Sequence, residues 1–402
     1  MAEEVLVYDC VRTPRGRARQ TGSLYEMQPH ELLASLLRAA EDRNHGLRTA
    51  VRDLLIGCVT PIADQGYNIA QAALEEARWP DTVAGSQVNR YCASGLETVL
   101  QASARIAAGF DDVLLAGGVE SMSRVGIGQD GGPLLHAPDL VLSARALPQG
   151  VSADLIATKF GLSRSALDRL ALRSQERAAQ AQREARFAKS IVPIDDENGL
   201  RLLDADEHPR PKTTLQQLEA LKPVFQKLGA LGYDELALMK YPELECVEHV
   251  HTAGNSSGLV DGAALVLLAS RAAGEQYGWK PRARVRACCV ASSEPTIKLL
   301  GMIPATERAL KQAGLETGDI DLFEVNEAFA SVAMAFEQHF DVDPERINVN
   351  GGAIALGHPV GATGAVLLGT LLDELERRDQ RLGLATLCAG GGQGIACVIE
   401  RV

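Results

Sequence analysis

Aromatic residues make up only 4% of the 402-residue chain. So few rings supply no series of stacking platforms for nucleic acid. Basic charge is also scarce: 40 Lys and Arg face 52 Asp and Glu, a formal net charge of −12. No bulk positive field draws nucleic acid or anionic lipid, so an anionic ligand is expected to meet local Arg and Lys groups instead. No run of about 18 apolar residues occurs, and no integral membrane span is expected. Residues 1–7 lack the basic and apolar regions of a secretory signal. Ile399–Val402 is not a peroxisomal address. The expected location is cytoplasmic, or the soluble compartment of an organelle. The eight cysteines, Cys10, Cys58, Cys92, Cys246, Cys288, Cys289, Cys388 and Cys397, include no C-x-x-C pair. That spacing argues against zinc and redox motifs, and no metal site is expected. In a reducing compartment most of these thiols should be buried small hydrophobes.

What the chain has in quantity is glycine, 38 residues, alongside abundant alanine. Such a composition allows tight turns and close approach of backbones. At roughly 100–200 residues per domain the length predicts two or three domains. Residues 1–120 read as alternating strands and helices: strands at Val5–Tyr8, Leu54–Cys58 and Val113–Ala116, helices at Glu31–Glu41 and Ser94–Ala108. This alternation argues for a layered α/β architecture. Residues 121–250 are richer in Gly, Pro and charge, with one clear amphipathic helix at Ser163–Phe187 behind a capping serine. From about 251 the α/β pattern resumes, with strands at Ala264–Ala269, Ala283–Ala291, Leu322–Val325, Leu384–Leu387 and Cys397–Glu400 and a helix at Pro304–Ala313. Residues 51–56, 86–89 and 111–118 match 320–325, 347–350 and 383–390 in pattern. A duplicated α/β unit with a long insertion in its first copy accounts for this most simply.

Several motifs carry candidate chemistry. Asn89–Glu97 runs from an extended segment into a helix, with Cys92 at the helix N-terminus. Backbone N–H groups and the helix dipole there favour a thiolate; a buried structural cysteine at a strand–helix joint fits the segment alone as well. In Asn350–Gly364, His358 stands between Gly357 and Pro359, which stiffens its position. It is a candidate base for a thiol, the alternative being a histidine exposed on a glycine loop. Leu387–Gly394 takes a strand into a run of glycines. No Lys-Ser/Thr follows, so it is not a phosphate loop; its free N–H groups suit an oxyanion, and Cys388 is a candidate acid/base or a structural thiol. Asn326, at the end of a strand, is suited to hold a water or a substrate oxygen, or to cap the next helix. Two cysteines, a histidine and an asparagine thus fall at strand ends, where α/β folds gather ligands.

These motifs, with Gly117–Ser123 and Thr252–Ala263, resemble the thiolase family over essentially the full chain. Asp204–Pro211 and Asn255–Ala264 look like the thiolase (β) subunit of bacterial trifunctional fatty-acid oxidation complexes. The resemblance implies thiolase-fold halves forming a five-layer α-β-α-β-α core with an inserted α/β loop domain: residues 1–120 plus 251–270, the CoA-binding insertion 121–250, and 271–402. It implies an acyltransferase that cleaves 3-ketoacyl-CoA with CoA in fatty-acid β-oxidation. Cys92 would carry the acyl group, His358 would take its proton, and Cys388 would protonate the departing enolate. One oxyanion hole would use His358 and a water held by Asn326, the other the N–H groups of Cys92 and Gly390. Arg210 and Ser257 match positions that contact CoA. Coenzyme A is implied as co-substrate, with no tightly bound cofactor, and the expected partners are acyl-CoA and copies of the chain in a homodimer or homotetramer, with or without a hydratase/dehydrogenase subunit. A methionine usual in short-chain pockets is replaced near Ile297-Lys298-Leu299, and Pro148–Asp154 lacks a His-Met pair. Medium or long acyl chains are therefore expected. The alternatives are a biosynthetic acetoacetyl-CoA thiolase, which shares the same catalytic residues, and an inactive thiolase-like lipid-binding protein.

Overall fold

The computed structural model describes residues 3–402, the side chain of Leu135 excepted. Its strands are β1 (Val5–Arg12), β2 (Gly16–Arg17), β3 (Asp53–Gly57), β4 (Ala84–Val88), β5 (Val113–Ser121), β6 (Ile194–Asp195), β7 (Arg201–Leu203), β8 (Val260–Ser270), β9 (Ala283–Ser292), β10 (Leu322–Val325), β11 (Leu382–Cys388) and β12 (Gln393–Arg401). Nine of them line up as β4-β3-β5-β8-β1 followed by β9-β12-β11-β10, with β2 beside β8. Among the described residues the two runs pair only through Leu6 opposite Arg284 and Val7 opposite Ala283.

The two runs repeat one plan. β3 lies parallel to both β4 and β5, and β8 then pairs antiparallel with β5 and with β1. Likewise β10 lies parallel to β11 and to a bridge at Ile347, and β12 pairs antiparallel with β11 and with β9. The duplication read from the sequence is therefore one of topology.

The strand period of 2 decides which layer each residue enters. On β5, Val113 and Leu115 face the helices Pro29–Arg43 and Ile69–Glu76, while Leu114 and Ala116 face the molecular centre. On β12, Ala396 and Val398 face the helix Met302–Ala313, while Ile395, Cys397 and Ile399 face the centre. Between the two runs lie the helices Ser94–Ala107 and Thr363–Arg378, packed by Leu96, Val99, Ala365, Val366 and Leu371. The result is α-β-α-β-α. Residues of β5 and β8 are buried throughout, as expected of strands covered on both faces.

The insertion is mostly helical. Its only strands are the ribbon β6–β7, and its longest helix is Arg164–Arg183, capped by Ser163 Oγ accepting from the Ala166 N–H at 3.3 Å. Leu167, Leu170, Ala171, Ala178 and Ala181 form its buried stripe. No helix among the described residues is long and apolar enough to cross a membrane.

Glycines let the two halves touch backbone to backbone. A Cβ on Gly118 would lie 2.0 Å from the Gly361 carbonyl oxygen, and one on Gly364 would lie 2.3 Å from the Leu96 nitrogen. Gly118→Ala should therefore cost about 1–3 kcal/mol, the usual range for overpacking, read as a lower denaturant midpoint. Gly318→Ala, where nothing lies within 4 Å, should stay within about 0.5 kcal/mol of the parent.

Candidate active site

Cys92 sits on a sharp turn between β4 and the helix Ser94–Ala107. Tyr91 takes φ +49°, a costly backbone for a bulky residue. The turn is held by side chains: the Tyr91 N–H donates to Asn89 Oδ1 at 2.9 Å, Asn89 Nδ2 donates to the Val59 carbonyl at 2.9 Å, and the Arg90 N–H donates to Ser94 Oγ at 2.9 Å. Two backbone amides, those of Cys92 and Gly390, hydrogen-bond to the Cys92 sulfur. They lower its pKa, yet burial first and the Glu120 carboxylate second push it up to about 12. The expected thiolate at a helix N-terminus is thus overturned: the helix begins two residues beyond Cys92, and desolvation outweighs the N–H groups.

Gly390 follows Cys388 at the end of β11, and a Cβ on it would lie 2.9 Å from Tyr91 Cγ. Side-chain bulk is excluded there by the Tyr91 ring, so the amide can reach the sulfur. Cys388 is almost wholly buried. Burial pushes its thiol pKa up, and proximity to Cys92 pushes it further. The two candidate cysteines therefore share one site, 296 positions apart in the chain (388 − 92).

His358 is buried, and its Nδ1 lies 2.6 Å from Thr363 Oγ1. The Thr363 hydroxyl already donates to the Pro359 carbonyl at 2.9 Å, so it accepts from the imidazole, and Nδ1 carries the proton. Nε2 keeps its lone pair, with Asn326 Nδ2 donating to it at 3.4 Å. Burial and the Arg15 guanidinium push the His358 pKa down to about 3. The imidazole is neutral, as a base must be. Asn326 does not cap the next helix, whose N-cap is Phe329; its Oδ1 is buried with no hydrogen-bond partner.

Buried carboxylates hold the histidine loop in place. Glu120 Oε2 accepts from the Gly361 N–H at 3.0 Å and the Val59 N–H at 2.9 Å, and Oε1 accepts from Thr60 N–H and Gln65 Nε2. At the other end of the loop, Glu327 accepts from Ser174 Oγ at 2.6 Å, the Ile354 N–H at 3.2 Å and Asn348 Nδ2 at 3.1 Å. The His358 N–H itself donates to the Gly258 carbonyl at 2.9 Å. Arg15, Glu120, Glu327 and Thr363 are residues to which the sequence reading gave no role. The signal was there for two of them: Glu120 is an acid in an otherwise apolar strand, and Arg15 follows one.

Arg210 is exposed and Ser257 half-buried. They flank one contact, in which a Cβ on Gly258 would lie 2.1 Å from His208 Nε2, while His208 Nδ1–H donates to the Ala355 carbonyl at 2.8 Å. Burial lowers the His208 pKa, and Arg210, Arg17 and Arg15 lower it further.

Residues 5–232 match the family model for the thiolase N-terminal domain and residues 279–401 that for the thiolase C-terminal domain. The chain is 40% identical over 414 residues to the 3-ketoacyl-CoA thiolase of Aeromonas hydrophila, covering 100% of both. It is 38% identical over 416 residues to that of Bacillus subtilis, covering 99% of each. The crystal structure of the Bacillus anthracis acetyl-CoA acetyltransferase matches with a TM-score of 0.85 at 33% identity, over 100% of this chain and 99% of that one. Two family models that together span most of the chain, and relatives alike from end to end, agree with the cysteine–histidine–cysteine site: the chain belongs to the thiolase family.

Proposed function

We propose that this enzyme is a 3-ketoacyl-CoA thiolase acting in the degradative direction, with CoA as co-substrate. The observations that carry the reading are the Cys92 and Gly390 amides at the Cys92 sulfur, Cys388 beside that sulfur, and a neutral His358 on the loop whose Gly361 packs against Gly95 behind Cys92. Nε2 of His358 takes the Cys92 proton as the sulfur attacks C3 of the substrate. The C2–C3 bond breaks, the acyl group stays on Cys92, and the acetyl-CoA enolate takes a proton from Cys388. Incoming CoA gives its thiol proton to Cys388, its sulfur takes the acyl group from Cys92, and His358 returns its proton to the leaving Cys92 sulfur. Division into two steps through an acyl-enzyme is the gain of nucleophilic catalysis. The N–H groups of Cys92 and Gly390 support the oxyanion on the acyl group; His358, with Asn326, supports the one on the thioester carbonyl. CoA lies on the rim with Arg210 and Ser257, where the guanidinium groups of Arg210 and Arg17 suit its phosphates. An inactive lipid-binding protein does not need this machinery. The likeness to an acetyl-CoA acetyltransferase favours one second reading, a biosynthetic acetoacetyl-CoA thiolase.

Quenched incubation with 3-ketoacyl-CoA should place an acyl mass on Cys92 in the intact-mass and peptide spectra. Cys92→Ser should abolish it, and an adduct on Cys388 would reverse the assigned roles. Turnover confined to acetoacetyl-CoA would sink the degradative reading in favour of the biosynthetic one.

Removing the Asn326 amide as Asn326→Ala should lower kcat about 10²–10³-fold, the usual effect of losing an oxyanion-hole donor, in a steady-state assay. Arg210→Ala should raise KM for CoA several-fold, more than it lowers kcat, because a rim charge acts mainly on encounter and binding.

The charge state of the site sets a pH test. With the Cys92 pKa near 12 and the His358 pKa near 3, the resting pair is thiol and neutral imidazole across the physiological range. Alkylation of Cys92 by iodoacetamide without substrate should therefore rise with pH through 9. A plateau from about pH 6 would mean a standing thiolate–imidazolium pair instead.

A further inference from the structure

One buried charge has no use in the mechanism above. Lys298 is 8% exposed and takes φ +26°, a left-handed backbone that a long side chain rarely adopts. Its ammonium donates to the Leu147 carbonyl oxygen. Among the described residues no carboxylate lies within 4.0 Å of it. Leu147, which it contacts, and Ile297 and Leu299, its chain neighbours, are buried members of one apolar cluster. Glu294, on the same loop, is near enough for its charge to act on the ammonium, but its hydrogen bonds go elsewhere: it accepts from the Thr296 N–H at 2.9 Å, the Ile297 N–H at 3.1 Å and the Tyr241 hydroxyl at 2.8 Å. Buried ammonium groups are almost always paired, because an unpaired one is costly.

The place of this lysine is next to the chemistry. The Ser293 N–H donates to the Gly392 carbonyl at 2.7 Å, and Ser293 Oγ donates to it at 3.1 Å. Gly392 is two residues from Gly390, whose amide meets the Cys92 sulfur. Across from this loop is the start of the insertion: Ser152 Oγ donates to the Thr296 carbonyl at 2.9 Å, and Lys298 itself reaches Leu147. The wall where the insertion closes on the oxyanion turn thus holds an ammonium with one neutral partner and capacity for two more hydrogen bonds.

We propose that Lys298 is a specificity-determining residue that receives an anionic group at the far end of the acyl chain, so that the preferred substrates are 3-ketoacyl-CoA thioesters ending in a carboxylate. The substrate supplies the direct carboxylate contact that Glu294 does not make, and the ion pair forms in apolar surroundings where a charge-assisted hydrogen bond is strongest. A neutral acyl chain leaves the ammonium uncompensated and is disfavoured. This rests on the thiolase reading above and adds the substrate class to it.

The test compares two thioesters of equal chain length, 3-oxoadipyl-CoA and 3-oxohexanoyl-CoA, with acetoacetyl-CoA as a third substrate, on the full chain. At pH 7 the ratio of kcat/KM for the carboxylate substrate over the neutral one should be at least tenfold, and Lys298→Met should reduce that ratio at least tenfold. The ratio should also fall as pH rises through about 8. Burial lowers the Lys298 pKa to about 8, so the ammonium is present below that pH and lost above it. Glu294 is the charged group beside it, with Tyr241 behind Glu294 and the Lys159 ammonium 4.0 Å from the Tyr241 ring. A wild-type ratio below tenfold, or the same ratio in Lys298→Met, would overturn the proposal and leave Lys298 as a clasp on Leu147. Activity toward 3-oxohexadecanoyl-CoA alone would also overturn the proposal, whereas inactivity toward that long-chain thioester and all three others would instead overturn the thiolase reading, and the proposal with it.

Discussion

The architecture depends on one backbone contact, where the loop of one half enters the first turn of the other at Gly361. A Cβ on Gly361 would meet the Val119 carbonyl at 2.5 Å and the Gly57 carbonyl at 2.8 Å, and a Cβ on Gly95 would meet the Gly361 carbonyl at 2.7 Å. Glycine on both sides of a contact is what allows two main chains to lie this close. The Glu120 carboxylate then ties the Gly361 amide to the Val59 and Thr60 amides. Because Cys92 stands on one side of this contact and His358 on the other, the same few glycines that weld the halves also set the distance between nucleophile and base. The duplication makes the placement natural: the helices Ser94–Ala107 and Thr363–Arg378 fill the same layer, and each is entered through the turn that carries the reactive residue.

The tight weld has an electrostatic consequence. Close packing excludes water, and desolvation penalises every charged form in the site. It raises both thiols and lowers the imidazole, so the resting site holds no separated charge between them. Amides fixed by the turn remain aimed at the sulfur. The site is therefore poor at stabilising a free thiolate and well arranged for the oxygen of an acyl group that arrives on it. Preorganised dipoles in a water-excluded site cost nothing to reorganise at the moment of reaction. Charge is made as the substrate reacts, while Thr363 keeps the imidazole in the tautomer that can take the proton.

Much of this was legible in the residues. Apolar runs and helical stripes marked most elements to within a few positions, and the glycine-framed motifs pointed to Cys92, His358, Cys388 and Asn326. The helix Thr363–Arg378 was not anticipated: it begins in Gly and Ala with no side-chain cap and is buried on nearly all sides over its first turns, so it has no amphipathic stripe to read. The thiolate expectation failed because a helix terminus is a local feature and burial is a tertiary one. Glu120 and Arg15 were passed over for the same reason. Glu120 meets Gly361 from 241 positions away, and Arg15 reaches the Gly357 carbonyl across 342.

Buried charge also separates what the fold needs from what a substrate meets. The Arg12 guanidinium is compensated by both oxygens of Asp206, at 2.7 and 2.9 Å, and the Arg15 N–H donates to the same carboxylate at 2.9 Å. Arg282 is likewise held by Asp373 and Glu376, at 2.6 and 2.7 Å. This chain thus supplies carboxylates to its buried guanidinium groups in the framework, as the cost of an unpaired charge requires. At Lys298 it supplies a carbonyl oxygen and a strained backbone instead, on the loop whose Ser293 binds the Gly392 carbonyl of the oxyanion turn. Strain and an incomplete set of partners tend to gather where a site is built to be finished by its ligand, and the chemistry that completes an ammonium in an apolar wall is a carboxylate.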